Sequence, residues 1–176
     1  LLNGGRDAWI AEERDTSFVV PEYPRTTYPV SERDDAPLRA FSSDVLDHIG
    51  KGTILDTRTP EEYVGNRTNF DDAPDSGIAR GGHIPTAVNV SWDRSVHPNS
   101  RFRSRAELEE IYAGLDSSSP TVTYCRVGDR SAHTWFVLKY LLGFENVRNY
   151  DGSWLEWGNM VRMPIYVGDE PGEFGQ

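Results

Sequence analysis

The chain has 176 residues, 37% of them hydrophobic, and a mean hydropathy of −0.59, which suits one domain of ordinary size with enough apolar residues for a core. A formal charge of −10 argues against non-specific nucleic-acid binding, which needs excess Lys and Arg, and no apolar run approaches the ~18 residues of a membrane span. A single cysteine permits neither an internal disulfide nor a Cys-based zinc site, and a reducing, cytoplasmic setting is the expectation.

The chain starts at Leu1, not Met, and a signal or targeting segment, if the protein has one, is expected to lie outside these residues. "NGGRDAW" (Asn3–Trp9) is echoed by "DGSWLEW" (Asp151–Trp157). If each copy closes one structural unit, residues 1–30 are the tail of a preceding module plus a linker, the Pro-rich stretch Val19–Val30. Residues 31–168 then form the complete unit, and 169–176 a C-terminal tail.

Within that unit, Ser42–Gly50 predicts a helix ending at a glycine, and Gly52–Thr57 a short buried strand. Thr59 then serves as N-cap, Pro60 as first helical residue, and Glu62 closes a capping box. Gly65–Gly82, polar and rich in Gly and Asp, is expected to be a surface loop at the rim of a site. Thr86–Trp92 predicts a strand, and Ser104–Leu115 a helix with Ser104 and Glu107 as its capping box. Pro120–Cys125 predicts a strand, Ser131–Gly143 an apolar helix, and Asn146–Tyr150 a strand. Ser153–Met160 closes the series as a helix, with Ser153 and Glu156 as a third capping box. This alternation predicts an α/β fold with a parallel sheet covered on both faces. Sites in such sheets form at the carboxyl ends of strands, where Cys125 and Asp56 fall.

After Cys125 come Arg126, Val127, Gly128, Asp129 and Arg130, with a helix expected from about Ser131. A loop curling into a helix N-terminus turns backbone N–H groups inward, and such a nest stabilises an anion. It should lower a thiol's pKa to about 3.5–7.5. Gly128 allows the tight turn, and Arg126 and Arg130 add positive charge. A lone cysteine is ordinarily inert packing; a glycine loop with flanking arginines between strand and helix instead predicts an exposed, ionised thiolate. Nothing ties His48, His83, His97 or His133 to Cys125, and no cluster has metal-ligand spacing, so neither a metal nor another cofactor is expected. A thiolate held by a backbone nest suits phosphoryl transfer or sulfur transfer. Cysteine phosphatases carry Cys-x5-Arg; Arg130 makes Cys-x4-Arg, a smaller ring better matched to one terminal sulfur.

These residues resemble the rhodanese superfamily, in particular the catalytic C-terminal module of tandem-domain thiosulfate sulfurtransferases. "ILDTRTPEEY" (Ile54–Tyr63), "GGHIPTAVNVSW" (Gly81–Trp92), "CRVGDRS" (Cys125–Ser131) and "YDGSWLEW" (Tyr150–Trp157) are similar to its motifs, in order. "NGGRDAW" resembles the closing motif of a preceding, usually non-catalytic module. The resemblance implies a three-layer fold with a central parallel sheet flanked by helices. It also implies ping-pong transfer: Cys125 takes the sulfane sulfur of thiosulfate as a persulfide, then yields it to cyanide or a thiol. The partners implied are a small anionic sulfur donor, a thiophilic acceptor and the preceding module. The loop from Arg126 through Val127, Gly128 and Asp129 to Arg130 would cradle the persulfide, with Arg126 and Arg130 on the donor's sulfonate. Mercaptopyruvate sulfurtransferases resemble Cys-Gly-Ser/Thr-Gly-Val-Thr here, so the charged loop favours an inorganic anion. The alternatives are mercaptopyruvate sulfurtransferase, a small cysteine phosphatase, or a non-catalytic binding module. Some two-domain relatives place an arginine at Glu62, so that contact is not carried over. Asp129 is expected to pair with a neighbouring arginine. Asp56 and Arg58 are expected to brace the loops, Ser131 to support the helix start, His83 to stabilise a turn, and Trp154 to form pocket wall or core.

Overall fold

A computed structural model describes residues 1–68 and 77–174. Five parallel strands form one sheet: β1 (Arg39–Ala40), β2 (Thr53–Asp56), β3 (Ala87–Asn89), β4 (Thr121–Tyr124) and β5 (Val147–Tyr150), in the order β1-β5-β4-β2-β3. Parallel sheets bury both faces, so their strands carry continuous apolar runs. Adjacent Ile54 and Leu55 show this directly. Both are fully buried, yet Ile54 packs with Val122 and Tyr124 while Leu55 packs with Leu108 and Val137.

The first of those cores is closed by α2 (Ser42–His48) and α6 (Ser153–Trp157), which contribute Val45, Trp154 and Trp157. The second is closed by α4 (Arg105–Ile111) and by α5 (Asp129–Phe136) with its π-helical continuation Val137–Leu142. The result is the expected three-layer arrangement. The short α3 (Pro60–Tyr63) follows β2 and has the expected capping box, as does α4. After β2 the chain crosses to β3 on one side of the sheet; after β4 it crosses to β5 on the other. The carboxyl ends of β2 and β4 therefore flank the switch point where such sheets form their crevice.

Several boundaries differ from the sequence reading. The Thr86–Trp92 strand shortens to β3, because Thr86 has a left-handed backbone (φ +68°) and Trp92 begins a 3-10 turn, Trp92–Ser95. The helix expected from Ser131 starts two residues earlier, at Asp129, because Gly128 itself takes the left-handed cap position. Ser153 is not a helix cap: its φ is +51° and its hydroxyl donates back to the Tyr150 carbonyl at 2.7 Å. The loop expected over Gly65–Gly82 lies partly outside the described residues. Both copies of the echoed motif start a helix at their third residue, α1 (Gly5–Ala11) and α6, and that residue is left-handed in both (Gly5 +57°, Ser153 +51°).

Burial holds His48, His83 and His133 below the ordinary histidine value of 6.5. A lowered folded pKa means the unfolded chain binds more protons, so stability is complete above 6.5 and declines as pH falls. Urea midpoints measured from about pH 7.5 down to about pH 5 should fall continuously, at unchanged m-value. A flat profile would show that these imidazoles titrate as they do in the unfolded chain.

Candidate active site

Residue Asp56 ends β2 and is fully buried. Its carboxylate accepts the Arg58 backbone N–H (2.9 Å), Arg58 Nε (3.0 Å), Arg58 Nη2 (2.5 Å) and the Tyr124 hydroxyl (2.6 Å). Burial opposes a charge on Arg58, but Asp56 outweighs it and holds the guanidinium's pKa above its ordinary value. Arg58 also donates to the Gly82 carbonyl and lies 4.4 Å over the Trp154 ring. Asp56 and Arg58 are therefore a buried ion pair. The pair ties the end of β2 to β4, to the Gly-His-Ile-Pro segment and to α6. His83 sits within that brace, stacked on Tyr63 with Nδ1 at 2.8 Å from the Tyr63 carbonyl.

One residue beyond β4, Cys125 turns its sulfur back under its own loop. The Gly128 N–H donates to Sγ at 3.1 Å, and the Asp129 carboxylate accepts from Sγ at 3.4 Å. The exposure expected for this thiol is overturned: Cys125 is 0% exposed. Its neighbours are polar, so this is a sulfur covered by a hydrogen-bonding loop. Val127, by contrast, is 49% exposed at the loop's outer edge.

Residues distant in sequence hold the loop. The Cys125 N–H donates to Ser153 Oγ (3.1 Å), the Trp154 N–H to the Cys125 carbonyl (3.0 Å) and the Leu155 N–H to the Arg126 carbonyl (2.9 Å). Ser131 is fully buried and donates to the Gly128 carbonyl at 3.1 Å. Trp154 is 1% exposed with Nε1 on the Arg80 carbonyl, so it belongs to the core and not to an entrance.

Sequence reasoning misplaced two side chains and passed over two others. The Arg130 guanidinium binds Glu62 bidentately, at 2.8 and 2.9 Å. Burial alone would raise the Glu62 carboxyl, yet Arg130 holds it below its usual value. Asp129 takes the Arg130 backbone N–H (2.7 Å), so the expected pairing with a neighbouring guanidinium goes to Glu62 instead. Glu62 and Ser153 were the unassigned residues. Each had been accounted for locally as part of a capping box, and only the tertiary fold brings them to the loop.

Gly128 makes the loop possible. Its φ is +94°, and a Cβ there would meet the Asp151 carbonyl oxygen at 2.8 Å and Cα at 2.9 Å. Gly128→Ala is expected to cost about 1–3 kcal/mol in urea unfolding, since neither the left-handed backbone nor the Asp151 main chain can relax cheaply. It should also displace the N–H that reaches the sulfur.

A cysteine sulfur at the switch point, followed by a glycine turn and a helix, is one half of the evidence of kinship. The other is that the family described as rhodanese-like domain matches residues 42–160. The chain belongs to the rhodanese-like family. Among its rhodanese relatives, the thiosulfate sulfurtransferase of Corynebacterium glutamicum is 60% identical over 172 residues, covering 96% of this chain and 57% of that protein. A sulfur carrier protein of Thermus thermophilus is 48% identical, covering 97% of this chain and 62% of that protein. The chain thus spans less than two thirds of these curated relatives. The rhodanese fold also recurs in the anaerobic ergothioneine biosynthesis enzyme of Chlorobium limicola, at a TM-score of 0.78 and 24% identity over 95% of this chain and 41% of that one.

Proposed function

We propose that this rhodanese-like chain transfers the sulfane sulfur of thiosulfate through Cys125. The observation that carries the reading is the Gly128 N–H aimed at Sγ at the end of β4, in a chain 60% identical to a thiosulfate sulfurtransferase. The Cys125 thiolate attacks the outer sulfur of thiosulfate, the donor's S–S bond breaks, and sulfite leaves with the electron pair. Cyanide or a thiol then removes the terminal sulfur from the persulfide. We assign Arg126, beside the nucleophile, to the donor's sulfonate. Arg130 acts differently: through Glu62 it anchors the start of α5.

The catalytic unit is read as residues 31–168, with 1–30 the tail and linker of a preceding rhodanese module. The echoed left-handed motif and the longer relatives support this reading. A single cysteine fits a cytoplasmic setting.

Intact mass after incubation with thiosulfate, and separately with mercaptopyruvate, tests the proposal. One added sulfur from thiosulfate, followed by thiocyanate formation on adding cyanide, is expected. Neither sulfur gain nor thiocyanate would reject it. A donor preference for mercaptopyruvate would move the activity within the family. The full burial of Cys125 favours one second reading, a non-catalytic binding module, whose signature is slow alkylation at neutral pH.

A further inference from the structure

Among the described residues, the thiol of Cys125 has one carboxylate in hydrogen-bond contact, and that contact is unexplained by sulfur-donor binding. Asp129 Oδ1 lies 3.4 Å from Sγ, with the thiol as donor. A negative charge at this position opposes an incoming thiosulfate dianion. Its placement is nonetheless fixed: Asp129 is the first residue of α5, and the same oxygen accepts the Arg130 backbone N–H at 2.7 Å. The residue is exposed while the sulfur it contacts is buried, so it joins the reacting atom to the solvent side.

The imidazoles that ordinarily move protons are engaged elsewhere. His83 faces the Tyr63 carbonyl, His48 faces the Thr53 and Pro120 carbonyls at the opposite end of the strands, and His97 lies near Glu107. His133 packs against Trp92 and Phe102. The second nearby carboxylate, Glu62, is bound to the Arg130 guanidinium.

We propose that Asp129 is a catalytic residue, the proton relay for discharge of the persulfide to a thiol acceptor; this rests on the transfer reaction proposed above. The acceptor R–S–H attacks the outer sulfur of the Cys125 persulfide anion, Cys–S–S⁻, forming the R–S–S bond. The Cys125 S–S bond breaks, and its electron pair stays on Sγ. The acceptor's proton passes to the Asp129 carboxylate and from there to Sγ. Products are R–S–S⁻ and the Cys125 thiol, and the carboxylate is regenerated without outside oxidant or reductant. Cyanide reacts as its anion, which carries no proton to the sulfur, so its discharge needs no relay.

That difference supplies the test. Wild type, Asp129→Asn and Asp129→Glu are loaded with thiosulfate, or with inorganic polysulfide where loading is slow, and desalted. Each is then mixed with dithiothreitol or with cyanide in single turnover, and loss of the added sulfur is followed by intact mass. Asp129→Asn should slow dithiothreitol discharge about 100-fold more than it slows cyanide discharge, within the range of general acid–base contributions. Asp129→Glu should recover part of the loss. Unchanged dithiothreitol discharge, or equal slowing with both acceptors, overturns the relay. Wild type that gains sulfur from neither source overturns the transfer reaction itself, and the relay with it.

Discussion

Replacing Cys125 by Ser is expected to abolish sulfur uptake and to reduce thiocyanate formation to background, a loss on the order of 10⁶-fold, the scale of removing a covalent nucleophile. A hydroxyl can take the Gly128 N–H and contact Asp129 as the thiol does, so the loop keeps its hydrogen bonds. Stability should therefore change by less than about 1 kcal/mol. That separation makes the variant informative. A folded Cys125→Ser protein that still gained sulfur would place the chemistry elsewhere, although the chain has no second cysteine. A variant that lost its fold would instead assign the sulfur a packing role, in keeping with its complete burial.

The largest effect on stability is expected from Asp56→Ala. The substitution strips the Arg58 guanidinium, 1% exposed, of its counter-charge and leaves the Tyr124 hydroxyl without its acceptor. Breaking a buried ion pair on one side costs about 3–5 kcal/mol, because the remaining charge stays desolvated. Against a total stability of about 5–15 kcal/mol for a typical domain, the variant sits near the limit of folding. Urea unfolding measures the loss, and a cost below about 1 kcal/mol would show that Arg58 finds other partners. The double variant Asp56→Leu/Arg58→Met should recover much of the stability, since apolar residues can replace a buried pair once neither charge remains. It should not recover transfer activity if the brace positions the crevice at the ends of β2 and β4.

The features legible in the sequence were those set by near neighbours. "TILD" and "TVTY" are short, almost wholly buried strands, and their apolar runs marked them. Thr59–Glu62 and Ser104–Glu107 cap their helices within one turn, so local spacing sufficed. The Asp56–Arg58 pair spans two residues and was equally visible. What escaped depends on distance along the chain. Glu62 and Arg130 are 68 residues apart, and no spacing rule joins them. Ser153 followed by Glu156 has the pattern of a capping box, but Ser153's left-handed backbone sends its hydroxyl to the Tyr150 carbonyl. The burial of Cys125 was misread because loop composition reports which groups are present, and not which way a side chain rotates once the loop closes.

The bond from the Cys125 N–H to Ser153 crosses 28 residues of sequence, and the next two amides, Trp154 and Leu155, clasp the carbonyls of Cys125 and Arg126. The cysteine loop's pedestal is thus written in the closing motif, after β5. The surface on which the cysteine loop rests is synthesised after the loop itself, so the sulfur acquires its geometry only when the last strand and helix have docked. Trimming the chain before α6 would leave every residue of the loop in place and the loop itself without a shape.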